Sequence, residues 1–208
     1  KISRLTIRNH SGRTRRLSVT AYLEWVLAAS RDAAVPFIMT EMDPETGAML
    51  ARNPWNTGFG DRVAFADLAG RQVAWTGDRA EFLGRNGTLD RPAALTGPAA
   101  LSNRVGAGLD PCGVLQSRVE LRPNGEADIV FFPGQAATKA DARSLITRYR
   151  NADLDAVFRE VTGLWEDVLD VVQVRTPDRS MDILLNHWLL YQTLACRLWG
   201  RSAFYQSG

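Results

Sequence analysis

From Ile2 to Pro133 the chain is a succession of short stretches in which apolar residues recur at every second position, with Gly, Pro, Asn and Asp between them. Successive side chains of an extended strand point to opposite faces, so this spacing commits about two thirds of the sequence to β-structure with one apolar face per strand. Ile2 to Asn9 reads as a strand, His10-Ser11-Gly12-Arg13 as a turn, and Leu17, Val19, Ala21, Leu23 and Trp25 as one face of a second strand paired antiparallel with the first. Val35 to Met42 and Ala48 to Arg52 flank an Asp43-Pro44-Glu45-Thr46-Gly47 turn suited to a hairpin. In Arg62 to Leu68 and Gln72 to Thr76, the expected inward residues are Val63, Phe65, Val73 and Trp75. Cys112 to Leu121 and Ala127 to Pro133 flank Asn124-Gly125, a strong signal for a second hairpin. Strands at such short spacing, with no helical pattern between them, predict an antiparallel β-sandwich. Ala80 to Asn103, broken by Asn86-Gly87, Pro92, Gly97 and Pro98, is expected to run over the surface as a long loop.

Helical periodicity begins only after the last strand. Asp141 to Tyr149 and Asp153 to Val171 carry apolar residues at three- and four-residue steps, with Gly163 expected to mark a bend or a close contact. A third helix follows from Thr176 as the expected cap and Pro177 as its first residue. Its apolar stripe, including Ile183, Leu184, Trp188, Tyr191, Leu194 and Leu198, is too broad for a surface helix and calls for neighbours on most sides. That helix delivers Arg201, Phe204, Tyr205, Gln206 and Ser207 onto a glycine-ended polar loop, so its packing partners are expected past Gly208.

Composition narrows the function classes. With 25 basic and 23 acidic side chains, the net charge of +2 provides no field to recruit nucleic acid or an anionic membrane. No apolar run is long enough to span a bilayer. The two cysteines, Cys112 and Cys196, lack metal-ligand spacing and read as small core residues in a reducing compartment. The first residue, Lys1, and the lack of a signal peptide suggest a start within a longer protein.

His10 and His187 are too few to build a nucleophile-base pair, and Gly106-Ala107-Gly108 lacks the third glycine of a dinucleotide loop. Glu24, Glu41, Asp43 and Glu45 are the available carboxylates for glycoside chemistry, but their strand and turn positions favour solvated structural roles. Sugar sites pair aromatic platforms with planar hydrogen-bonding groups, because a pyranose has an apolar face and a hydroxyl rim. Trp55, Asn56, Trp75, Trp199, Arg201, Tyr205 and Gln206 are of the right types, with most of the aromatics expected in cores.

The terminal segment RLWGRSAFYQSG resembles the start of the catalytic helical barrel in glycoside phosphorylase family 94, also grouped as glycosyltransferase family 36. It is most similar to the C-terminal module of bacterial cyclic β-1,2-glucan synthases and to β-1,2-oligoglucan phosphorylases. The opening TIRNHSGRTRRLSVTAYLEWVL is similar to that family's N-terminal sandwich. The resemblance implies a galactose-mutarotase-like super-sandwich over 1–138, a helical linker over 139–175, and the first helix of an incomplete (α/α)6 barrel over 176–208. It also implies inverting phosphorolysis or chain-length processing of β-1,2-glucan, with inorganic phosphate as co-substrate and no other cofactor. Carried over to this sequence, Arg201, Tyr205 and Gln206 would bind substrate, with Arg201 in the subsite that is attacked. The family's tryptophan-asparagine-aspartate acid motif and its sugar-subsite arginine-aspartate motif would lie past Gly208, which leaves the chain inactive by itself. The implied partners are a β-glucan oligosaccharide, the rest of a parent chain, and a second copy in a homodimer. The implied location is cytoplasmic, with the parent anchored in a bacterial inner membrane. Two alternatives stay open: a non-catalytic carbohydrate-binding or oligomerisation module, and the sandwich of a glucoamylase-type hydrolase.

Overall fold

The computed structural model describes residues 1–97 and 100–200, which divide into two units between Asn151 and Ala152. The first unit holds eight strands: β1 (Ser3–Arg8), β2 (Arg15–Glu24), β3 (Met39–Met42), β4 (Met49–Arg52), β5 (Val63–Asp67), β6 (Ala74–Asp78), β7 (Pro111–Leu121) and β8 (Glu126–Ala136). They form two antiparallel sheets, ordered β1-β8-β5-β4-β3 and β2-β7-β6. The antiparallel sandwich expected from period-two spacing is present.

Two expected pairings are corrected. β1 pairs with β8 rather than β2, and β7 pairs with β2 and β6 rather than β8. The turns at 9–14 and 122–125 therefore carry the chain from one sheet to the other instead of closing hairpins. Alternation gives each strand one apolar face but does not choose between an in-plane neighbour and a strand across the core. Here each crossing turn lends one strand to each sheet. The β3–β4 hairpin does form, with Met39 opposite Arg52 and Met42 opposite Met49.

Between the sheets lies a core of Met49, Ala51, Ala64, Ala66 and Ile129 from the larger sheet against Leu115 and Trp25, with Val19, Ala21 and Leu23 packed beside them. Five consecutive residues of β7, Pro111 to Leu115, are buried, because its second face is covered as well. That cover corrects the long-loop expectation for Ala80 to Asn103. Asp78 caps α2 (Arg79–Leu83) by accepting from the Ala80 amide, α3 (Ala93–Thr96) follows, and Phe82, Leu83 and Leu101 bury against Cys112 and Val114. The breakers Asn86-Gly87 and Pro92 separate the short helices without preventing them. Val73, expected inward, is exposed because β6 begins one residue later, at Ala74.

The outer face of the larger sheet receives α4 (Lys139–Arg150), capped by Thr138 and burying Ala142 and Ile146. Residues 139, 143, 146 and 150 share one side of this helix. From it Arg143 grips the buried Asp43 through Nε at 2.9 Å and Nη2 at 2.6 Å, and Arg150 grips the buried Asp67 through Nε at 2.8 Å and Nη2 at 2.6 Å. Asp43 is thus no solvated turn residue. Lys139 adds a partly exposed pair with Glu41. The helix expected inside a linker is docked on the sandwich, and the division between the units falls after it.

Burial alone would raise the Asp43 carboxyl, but the Arg143 guanidinium and the Thr46 hydroxyl and amide outweigh it and hold the group down at about 2. A carboxyl depressed on folding stabilises the fold above its unfolded value near 4, and that contribution is lost as pH falls toward 2. It is worth about 2 kcal/mol. Urea midpoints taken from pH 6 down to pH 2 are expected to drop most steeply between about 4 and 2, a drop that Asp43→Asn flattens.

In the second unit α5 (Leu154–Leu169) is capped by Asp153, which accepts from the Asp155 and Ala156 amides. A Cβ built on Gly163 would meet nothing within 4 Å, so the expected close contact is not found among the described residues. The last helix starts later than expected. Asp178 is its cap, accepting from the Ser180 amide, while Thr176 braces Asp178 from outside. Helical turns then run through Arg179–Ile183, Leu184–Trp188, Leu189–Gln192 and Thr193–Trp199, the second and fourth of them π-helical. Phe158, Leu164, Ile183, Trp188, Leu198 and Trp199 are more than half exposed, leaving the broad stripe largely uncovered. Cys196, expected in a core, is exposed on this helix, whereas Cys112 is buried as expected.

Candidate functional site

Asn53 to Arg62 forms a loop between β4 and β5 that puts two large aromatics in solvent on a braced backbone. Asn53 Oδ1 accepts from the Trp55 amide at 3.1 Å, and Asn56 Oδ1 accepts from the Gly58 and Phe59 amides at 3.1 Å each. Both side-chain amides then donate to one acceptor, the Leu27 carbonyl, at 3.1 and 3.2 Å. Leu27 sits in the left-handed region at φ 42°, a costly conformation for a branched residue, and the two asparagines hold its carbonyl there. The turn closes so tightly at Gly60 that a Cβ there would come within 2.8 Å of the Asn56 carbonyl oxygen. Trp55 is 73% exposed and Phe59 is 64% exposed. Trp55 leans on Phe37 with ring centroids 5.0 Å apart, so its free face points outward.

Beside this loop is a groove of about 710 Å³ lined by Leu27, Ala28, Ala29, Asn53, Asn56, Phe59, Arg62, Ala64 and Gln135. Arg62 donates from Nη1 to Gln135 Oε1 at 3.0 Å and lies 5.9 Å from the Phe59 ring centroid, which fixes the plane of its guanidinium. The lining contains no carboxylate or histidine. It offers an apolar wall, planar donors and a carboxamide, which suit binding, and no side chain suited to proton transfer near neutral pH.

The carboxylates considered for glycoside chemistry, Glu24, Glu41, Asp43 and Glu45, are all engaged. Glu24 accepts from the Tyr22 hydroxyl at 2.5 Å, Arg79 Nε at 2.9 Å and Arg31 Nη1 at 3.0 Å, and Arg31 also reaches Asp110. The Tyr22 hydroxyl, ahead of the guanidiniums, holds the Glu24 carboxyl below its usual value, while burial and then Glu24 itself push the Tyr22 hydroxyl up. Burial, with Asp78 and Asp110 adding to it, raises the Cys112 thiol, which keeps it protonated and unreactive. Glu41 pairs with Lys139, and Glu45 joins Asp43 on Arg143. These carboxylates are held in ion pairs, and Asp43, expected to be solvated, is buried.

Of the described residues singled out by type, Trp55 and Asn56 share one loop, and Trp75 and Trp199 lie apart from it. Trp75 is half-buried, with its indole nitrogen donating to the Asn103 carbonyl, and Trp199 lies against Trp165 at 5.4 Å in the second unit. His187 meets Asp170 at 3.1 Å on an exposed surface. Arg201, Tyr205 and Gln206 lie outside the described residues. Sequence reasoning missed Phe59, Arg62 and Gln135. The turn-rich run Pro54-Trp55-Asn56-Thr57-Gly58-Phe59-Gly60 was the available signal for Phe59, but none pointed to Gln135, which arrives from β8 through sheet pairing. Among the described residues no group of three or more His, Cys, Asp or Glu is placed to hold a metal ion, and no helix is long and apolar enough to cross a membrane.

Comparison with known proteins gives these geometries a context. Residues 1–152 match the family described as glycosyl hydrolase 94, supersandwich domain, and residues 164–208 match the glycosyl hydrolase 94 superfamily, catalytic domain. The cyclic beta-(1,2)-glucan synthase NdvB of Rhizobium meliloti is 36% identical over 207 residues, which is 100% of this chain and 7% of that protein. The N,N'-diacetylchitobiose phosphorylase of Vibrio proteolyticus is 28% identical over 62% of this chain and 16% of its own length. The solabiose phosphorylase of Paenibacillus borealis is 27% identical over 95% of this chain and 26% of its own. The chain therefore spans about a quarter or less of each of these relatives.

Proposed function

Because the chain belongs to the glycosyl hydrolase 94 family, with the supersandwich domain over 1–152 and a catalytic-domain match over 164–208, we propose that it is part of an enzyme that processes β-1,2-glucan by inverting phosphorolysis. The observation that carries the linkage is the identity of 36% along the whole chain to a cyclic β-1,2-glucan synthase, against 27–28% to phosphorylases of other sugars. In this reading the sandwich supports a helical catalytic domain to which the last helix belongs. Arg201, Tyr205 and Gln206 bind the sugar under attack. The proton for the leaving oxygen comes from a carboxylic acid supplied by the rest of the parent enzyme, while inorganic phosphate attacks the anomeric carbon from the opposite face. The exposed apolar side of α5 and of the last helix supports this placement, since Phe158, Leu164, Ile183 and Trp188 suit burial against further helices. The enzyme would work in the cytoplasm, where phosphate is at hand.

The test is phosphate-dependent release of glucose 1-phosphate from linear β-1,2-glucan, comparing the 208-residue chain with a longer polypeptide that continues through the catalytic domain. Release by the longer polypeptide alone is expected. A folded longer polypeptide that yields glucose with no dependence on phosphate would make the enzyme a hydrolase and end the proposal.

A further inference from the structure

From the geometry of the sandwich unit we infer that the groove lined by Phe59 and Arg62 binds a glucan chain directly, through residues of the supersandwich domain alone. The choice of glucan rests on the proposed function above, while the site rests on its own construction. Exposed aromatics on a loop normally cost solubility and gain nothing. Here Trp55 and Phe59 are 73% and 64% exposed, on a backbone fixed by two asparagines that share one strained carbonyl. Such bracing means that the ordering cost of presenting the rings has been met before any ligand arrives.

The chemistry of the lining selects among ligands. A pyranose places axial C–H bonds on a flat face and hydroxyls around its edge, so it needs an aromatic plane and hydrogen-bonding groups that lie near the ring plane. The ring of Phe59, 64% exposed in the lining, provides the plane, and Trp55 stands beside the groove between the lining residues Asn53 and Asn56. The Arg62 guanidinium, held by Gln135 Oε1 and near the Phe59 ring, retains further N–H donors in the lining, and the Gln135 amide nitrogen is another. With no carboxylate in the lining, the groove is poorly suited to a cationic ligand, and an anion would find a single guanidinium already engaged by Gln135. A volume of about 710 Å³ falls in the usual range for small-molecule sites, enough for several ring units.

The test titrates the full 208-residue chain with a linear β-1,2-linked glucooligosaccharide, following tryptophan fluorescence and heat of binding. Saturable binding is expected, weakened about tenfold or more in Phe59→Ala and in Arg62→Ala, and unchanged in Leu89→Ala, an equally exposed apolar side chain outside the groove. Arg62→Lys is expected to bind weakly too, because it keeps the charge and loses the fork. Thermal midpoints report whether each variant folds, and the exposure of Phe59 predicts little change. Binding of a cello-oligosaccharide in place of the β-1,2 probe, lost in the same variants, upholds the groove and counts instead against the linkage assigned to the enzyme. No saturation with either sugar, or binding equal to wild type in folded Phe59→Ala and Arg62→Ala, overturns the inference. Self-association that Phe59→Ala abolishes and sugar does not compete with would assign this face to a protein partner and overturn it equally.

Discussion

Arg150→Ala is expected to lower the stability of the sandwich unit by roughly 3–5 kcal/mol, the range for removing one partner of a buried ion pair. Asp67 has no exposed side-chain surface, and Arg150 supplies two of its hydrogen bonds as well as its neutralising charge. The amides of Gly70 and Gln72, at 3.2 and 3.0 Å, remain after the substitution but cannot balance a full charge. The same guanidinium also holds the Thr46 carbonyl at 2.7 Å, so the loop between β3 and β4 loses a tether. It packs closely on Gly70, which adopts φ 74° and whose added Cβ would lie 3.1 Å from the guanidinium carbon. Arg150→Lys should recover only part of the loss, because a point charge cannot repeat the two-pronged contact. Asp67→Asn in the Arg150→Ala background removes the stranded charge and should restore stability relative to the single variant, a non-additivity that a double-mutant cycle in urea measures directly. Arg8→Ala is the comparison. Its pair with Glu126 is at least half exposed on both sides, and its removal should cost under about 1 kcal/mol. If Arg150→Ala cost no more than Arg8→Ala, water would have to reach Asp67, and α4 would not be anchored as described.

That pair also shows how far the sequence could be read. Period-two alternation between Ile2 and Pro133 revealed the strands, because burial on one face is a local property of each strand. The sandwich class and its family followed from this spacing and from the motifs at the two ends. Which strands pair is a long-range property, and here the local signals misled. Asn124-Gly125 is the commonest hairpin turn, yet it joins two sheets, because the positive φ of Asn124, at 55°, suits any sharp reversal and not only one within a sheet. Asp43 reads in the sequence as an ordinary turn carboxylate, and its burial, like that of Asp67, depends on arginines 100 and 83 residues away. The groove follows the same division. Trp55 and Asn56 were visible by type and by the turn-rich run around them, while Gln135 and the Leu27 carbonyl belong to the site only through the pairing of β5 with β8 and the path of the chain after β2. Arg201, Tyr205 and Gln206 lie outside the described residues and rest on the resemblance alone.

Asn9 is where the two crossing turns meet, and its replacement is the second large loss expected. The buried side-chain amide donates to the carbonyls of Arg13, Leu121 and Arg122 at 2.8, 3.1 and 2.9 Å, which ties the β1–β2 turn to the β7–β8 turn. Its Oδ1 accepts from the Ser11 amide and hydroxyl at 3.1 and 2.7 Å, and its own backbone amide donates to the Gly125 carbonyl at 2.9 Å. One side chain thus satisfies both arches where each leaves its sheet. Asn9→Leu keeps most of the volume and strands the carbonyls, which should cost roughly 3 kcal/mol, given about 1–3 for each buried group left unpaired and some rescue by water at this partly exposed edge. Asn9→Asp should cost more. It keeps the shape and the bond to Ser11 but turns a carboxylate oxygen toward three carbonyls, so the loss should shrink as pH falls and the acid protonates. Ser11→Ala removes only the hydroxyl contacts and should cost about 1 kcal/mol. Urea unfolding at neutral pH is therefore expected to rank the variants Asn9→Asp, Asn9→Leu, Ser11→Ala in falling order of damage. Were Asn9→Leu as mild as Ser11→Ala, the amide would not be holding the arches together, and the strand exchange between the sheets would have to be fixed by the core residues alone.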